Sequence, residues 1–139
     1  MSAETFIVTG SNGTSDYSFA LQSRSGYKTR WADTGNTVST KRFLDIDHQL
    51  KPAGSAGTDT HLATFRREEI NSTTGALAVS TVGLVIKVPR DSAITAAIVS
   101  DLISYLASFL NKNVMDTFVQ AATPSGDYNV TGPFNPVRA

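Results

Sequence analysis

From Phe43 to Leu50 the chain alternates: Leu44, Ile46, His48 and Leu50 take every second place, with Phe43, Asp45, Asp47 and Gln49 between them. Side chains along a strand point to opposite faces in turn, so this spacing predicts a β-strand with one apolar and one mostly polar side. "STVGLVIKV" repeats the rhythm, with Val82, Leu84, Ile86 and Val88 set against Thr81, Gly83, Val85 and Lys87. Further short segments, "ETFIVT", "YSFALQ", "GYKTRWAD" and "THLATFRREE", lie between the turn-forming clusters "GSNGTSD", "DTGN", "PAGSAGTD" and "NSTTG". An antiparallel sheet covered on one side is the expected product.

The period changes at "PRDS". Pro89 ends the last strand, Asp91 or Ser92 is placed to cap a helix, and apolar residues then recur at 94, 98, 102, 105, 106, 109 and 110. The apolar face of this helix covers roughly 160° of its circumference, wider than the stripe of about 100° that a helix lying on one core presents. Ser100, Asp101, Ser104, Ser108 and Asn111 form the polar side. A second, shorter helix is expected at about 114–122, followed by an extended tail over 123–139 in which Tyr128 and Phe134 are candidate anchors. The fold class is thus α+β: an N-terminal β-hairpin plus an antiparallel sheet of about five strands, then two C-terminal helices. All of this fits one domain of residues 1–139, divided into sheet (1–90), helices (91–122) and tail (123–139).

Charge narrows the functional classes. Lys plus Arg number 12 and Asp plus Glu 12, so bulk electrostatics give no general attraction to polyanions. Ten of the basic residues nevertheless fall before residue 91, which places any polyanion site on the sheet. Lys41, Arg66 and Lys87 alternate with the apolar set, with Thr64 and Thr81 nearby. The plainer account of these residues is a solvated face with ordinary surface charge. The functional account is a sheet that meets RNA phosphates through Lys and Arg and bases through side-chain hydrogen bonds, with Asp45, Asp47 and Glu68 opposing non-specific attraction.

Other chemistries find little support. There is no cysteine, hence no disulfide, thiolate metal site or cysteine nucleophile. Asp45, Asp47, His48, Asp59 and His61 come nearest to a metal set, but His48 points away from the two aspartates on the same strand, so no metal and no cofactor is expected. No Gly-x-Ser-x-Gly elbow or phosphate-binding Gly-Lys-Ser/Thr ending occurs, and the reading is of a protein that is not an enzyme. "MSAETFIVTG" lacks the basic and apolar regions of a secretory signal. Asp101 in the middle of the apolar segment, costing about 2.5–3.5 kcal/mol in a bilayer, opposes a membrane span.

The order of these elements, and three stretches in particular, resemble the coat proteins of single-stranded RNA bacteriophages. "KRFLDIDHQLKP" is similar to that family's Lys-Arg-led strand, "TFRRE" to the strand after it, and "GLVIKVPRDSAITAAIVSDLISYLASFLNKNVMDTFV" to its last strand and two helices. The resemblance implies a homodimer whose sheets join edge to edge while the helices of each subunit cross the partner's sheet. Ile98, Leu102, Tyr105, Leu106 and Phe109 would then lie in the dimer interface. It further implies assembly into an icosahedral shell, with the other sheet face toward genomic RNA whose stem-loops it can bind as a translational repressor. Lys41, Asp45, Asp47, Gln49, Thr64, Arg66 and Glu68 match RNA-facing positions, as do Thr81 and Lys87 on the last strand. The implied partners are a second copy and single-stranded RNA, and the implied location is the virion, assembled in the bacterial cytoplasm. Two departures stand out: Asp45 and Asp47 occupy places where the family often has small hydroxyl residues, and the stretch beyond Pro124 is longer than its usual C-terminus. The alternative is a cellular RNA-binding α+β module that forms no shell.

Overall fold

A computed structural model describes residues 4–10 and 13–110 of the chain. They fall into two compact units, residues 4–8 with 16–91, and residues 9–10 and 13–15 with 92–110. The helix expected at 114–122 and the tail lie outside the described residues.

The first unit carries, apart from the last residue of β1, a single antiparallel sheet: β1 (Thr5–Thr9), β2 (Asp16–Ser25), β3 (Lys28–Asp33), β4 (Thr40–Gln49), β5 (Thr58–Ile70) and β6 (Leu77–Pro89), hydrogen-bonded in chain order. The expected hairpin and sheet of about five strands are thus one six-stranded sheet, because β2 continues into β3 through the two-residue turn Gly26–Tyr27 and the hairpin remains hydrogen-bonded to the rest. Gly26 stands at φ 60, where a side chain would be strained and where a tight hairpin turn of this length requires glycine. At the β5–β6 turn the Asn71 carboxamide oxygen accepts from the amides of Thr73 and Thr74 at 2.8 and 3.2 Å, turning the chain back at "NSTTG" as its composition predicts.

The sheet is curled. Phe19 of β2 and Phe65 of β5 have ring centroids 6.0 Å apart with two strands between them, whereas a flat sheet would separate β2 from β5 by roughly 14 Å. A register shift between Leu21 and Ser23 leaves Gln22 as an extra residue in β2, the kind of bulge that bends a strand and sharpens its twist. The core sits on the concave face. Phe19 is 2% exposed, with Phe6 packed against it and against Trp31 at centroid distances of 5.5 and 5.0 Å. Leu44 is also buried there, as the alternation in "RFLDIDHQL" predicts. At one end the buried Asp33 carboxylate accepts from the Arg42 guanidinium at 3.2 Å and from the Gly35 amide at 2.9 Å. The Arg42 guanidinium also lies 4.2 Å from the centre of the Tyr17 ring.

The second unit holds one helix, α1 (Ala96–Phe109). Its cap is Thr95, not Asp91 or Ser92: the Thr95 hydroxyl accepts from the Ile98 amide at 3.4 Å. Only the residue just before the first helical one can reach the amides of the first turn, and the turn at 92–94 delays that point past the earlier candidates. α1 has no acidic residue in its first turn and no basic residue in its last, so the helix dipole gains nothing from its own side chains. A helix of this length depends on packing for its stability.

Candidate nucleic-acid interface

The strand register brings every RNA-facing candidate onto one face. In β4, Lys41, Phe43, Asp45, Asp47 and Gln49 share a side by alternation. Their partners across β5 are Glu68, Arg66, Thr64, Leu62 and Thr60 respectively. These in turn stand opposite Val79, Thr81, Gly83, Val85 and Lys87 of β6. Thus Lys41, Asp45, Asp47, Gln49, Thr64, Arg66, Glu68, Thr81 and Lys87 form one continuous field on the side away from Phe19 and Leu44.

The same register adds two cations that the sequence reading passed over. Lys28 and Arg30 of β3 lie opposite Asp47 and Asp45. The alternation in "GYKTRWAD", with Lys28, Arg30 and Ala32 against Thr29, Trp31 and Asp33, already carried this signal; the pairing partner did not. Arg30 grips Asp45 with two hydrogen bonds, Nε to Oδ1 at 2.7 Å and Nη2 to Oδ2 at 3.0 Å. Its guanidinium also lies 4.7 Å from the centre of the Phe43 ring, which is buried on this side. The hydrogen bond to Asp45 is the main cause holding the Arg30 pKa above its ordinary value.

The charges are therefore unequally available. Asp45 is engaged by Arg30, and Glu68 by Arg66 at 2.8 Å along its own strand. Asp47 accepts from the Gln49 amide at 3.1 Å. Lys28, Lys41 and Lys87 form no ion pair among the described residues, which leaves three ammonium groups that can meet an anionic ligand without first breaking a pair. Gly83 is the one glycine within the field: a Cβ there would stand 3.1 Å from the Thr64 hydroxyl and 3.3 Å from the Ala63 carbonyl oxygen. Its lack of a side chain is what lets the Thr64 hydroxyl lie this close to β6.

Each unit also carries exposed apolar side chains. β6 is the last strand of the sheet, so its outer edge has no strand neighbour among the described residues. Leu77, Val79, Val82 and Val85 along it are exposed, Val82 at 71% although it belongs to the set expected inside. On α1, Ile98, Leu102, Tyr105 and Leu106 are exposed, Leu102 to 59% and Tyr105 to 63%, and Phe109 is half-buried. These are the residues named above as interface candidates.

Among the described residues no three His, Cys, Asp or Glu side chains come together to hold a metal ion, and no helix is long and apolar enough to cross a membrane. His48 lies on the opposite face from Asp45 and Asp47, as alternation requires, and meets His61 instead.

No protein-family model and no curated sequence matches the chain. Solved structures do share its fold. The virus-like particle of bacteriophage GQ-907 superposes with a TM-score of 0.67 at 19% identity, over 85% of this chain and 88% of that one. The bacteriophage GA capsid protein gives 0.58 at 12% identity, over 91% and 98%. An unassembled bacteriophage coat-protein dimer, described as an RNA-binding dimer, gives 0.50 at 12% identity, over 89% and 98%. The chain has the fold of single-stranded RNA phage coat proteins.

Proposed function

We propose that the chain is the coat protein of a single-stranded RNA bacteriophage. It forms a homodimer, the dimers close into an icosahedral shell, and the lysine-bearing sheet face meets the packaged genome. The role is structural rather than catalytic, its place is the virion, and assembly occurs in the bacterial cytoplasm.

The observation that supports this reading best is the open edge of β6, a strand of 13 residues bordered by exposed valines and leucine. Such an edge is a template for pairing with another chain, and proteins that remain alone blunt it with charge, proline or a bulge. Here residues 77–86 carry no charge or proline, Lys87 and Pro89 coming only at the end of the strand, and the apolar side chains of α1 are exposed as well. A second copy placed edge to edge, its helix laid across this sheet, covers both. The shared fold supports this kind of assembly, and the three lysines without an ion pair among the described residues favour RNA as the content. Recognition of a genomic stem-loop, with repression of translation, would use the Thr64 hydroxyl and the flanking cations of the same face.

An interlocked dimer of this kind has no stable folded monomer, so its unfolding midpoint rises with protein concentration. Denaturant unfolding of the disassembled protein over a wide concentration range tests this. A midpoint that stays fixed while the protein sediments as a folded monomer would remove the dimer and the shell with it.

A further inference from the structure

The histidine pair on the concave face has no part in the account so far. His48 and His61 are directly opposed across β4 and β5, and their Nδ1 atoms stand 2.8 Å apart. The His48 amide donates to the Tyr27 carbonyl oxygen on the β3 side, so toward β5 this is a non-hydrogen-bonded pair, the arrangement that brings opposite side chains closest. At 2.8 Å one Nδ1 must carry a proton and the other offer its lone pair.

We infer that His48 and His61 form a two-histidine site for one transition-metal ion of the copper or zinc kind. Imidazole nitrogen suits these ions, and bonds of about 2.0 Å to adjacent corners of a square-planar centre put two nitrogens roughly 2.8 Å apart. The rings turn slightly about χ2 so that both lone pairs meet off the line joining them. The imidazole that carried its proton on Nδ1 shifts it to Nε2 through solvent, so metal binding by the two neutral rings releases no net proton. Water fills the remaining positions, since His48 is exposed and His61 half-buried.

The surroundings allow a cation here. Asp59, on the same side of β5 as His61, keeps a carboxylate nearby, although it is held by the Lys51 amide at 2.8 Å and by Arg90. Tyr27, in the β2–β3 turn, lines an open surface recess with His48, and Ile86 stands opposite His61 on β6. Protons compete with the metal, because an imidazolium has no lone pair at Nδ1. The inference stands apart from the coat-protein reading.

The test is titration of the purified full chain with Cu²⁺, followed by electron paramagnetic resonance. The chain has only these two histidines, so imidazole nitrogen splitting can come from nowhere else. The expected result is one ion per chain with splitting from two nitrogens, lost on acidification and lost in both His48→Gln and His61→Gln, which keep an amide in place of each ring. Added Zn²⁺ should displace the signal. Circular dichroism matched to the parent establishes that the variants fold. Absence of imidazole splitting in the parent, or its retention as a two-nitrogen signal in either variant, overturns the site.

Discussion

Individual side chains decide how the charged field behaves. Asp45 neutralises Arg30, so Asp45→Asn should free a cation: RNA affinity rises at low salt, and the slope of log affinity against log salt steepens by about one unit. Lys41→Ala and Lys87→Ala should each weaken binding and flatten that slope; filter binding at several salt concentrations measures both effects. On the other face, removing the Arg42 side chain leaves the Asp33 carboxylate buried without its ion partner, and Arg42→Ala should cost about 3 kcal/mol in urea unfolding. Asp59 holds the β4–β5 loop, accepting first from the Lys51 amide and then from Arg90, and these bonds lower its pKa below the ordinary 3.8. A lowered carboxylate pKa contributes stability that is present above 3.8 and is lost as the pH falls through the folded value. Glu69, lowered chiefly by the Thr40 hydroxyl and then by Arg67, behaves in the same sense. Hydrogen exchange at the Lys51 amide should accordingly be faster in Asp59→Asn at neutral pH, and an unchanged rate would show that the loop is held by other means.

At the scale of elements, alternation and pairing carry different information. The two faces of β4 were legible in "RFLDIDHQL" because side-chain direction has a period of two, and the same reasoning placed Thr64, Arg66 and Glu68 together on β5. What could not be read was which residue lies opposite which. The Arg30 clamp on Asp45 and the meeting of His48 with His61 both depend on inter-strand register, which no single segment encodes. Val82 departs from expectation for a related reason: its alternation is that of an inward residue, but β6 is the edge strand of the described sheet and Val82 stays 71% exposed. The helix cap illustrates a third limit, since Asp91, Ser92 and Thr95 are all capable caps and only the path of the turn selects the last. Gly83 gives the element-scale prediction. Gly83→Val would press a branched side chain against the Thr64 hydroxyl and the Ala63 carbonyl, and overpacking of this order should cost about 1–3 kcal/mol and loosen the β5–β6 pairing.

On the scale of the whole molecule, the described chain leaves apolar surface on an open strand edge and on a helix that lacks electrostatic support from its own ends. Both features are costly for a protein that works alone and useful for one that completes itself with a copy. Leu102→Asp or Leu106→Asp should therefore abolish the dimer, and a well-folded monomer from either would speak against the interlocked arrangement. The most direct measurement of the central proposal is expression of the unaltered chain alone in bacteria, followed by size separation, negative-stain electron microscopy and the ratio of absorbance at 260 and 280 nm for each species. Uniform closed shells rich in nucleic acid are the expected product. A small, dispersed species that carries no RNA and forms no shell when RNA is added would contradict it.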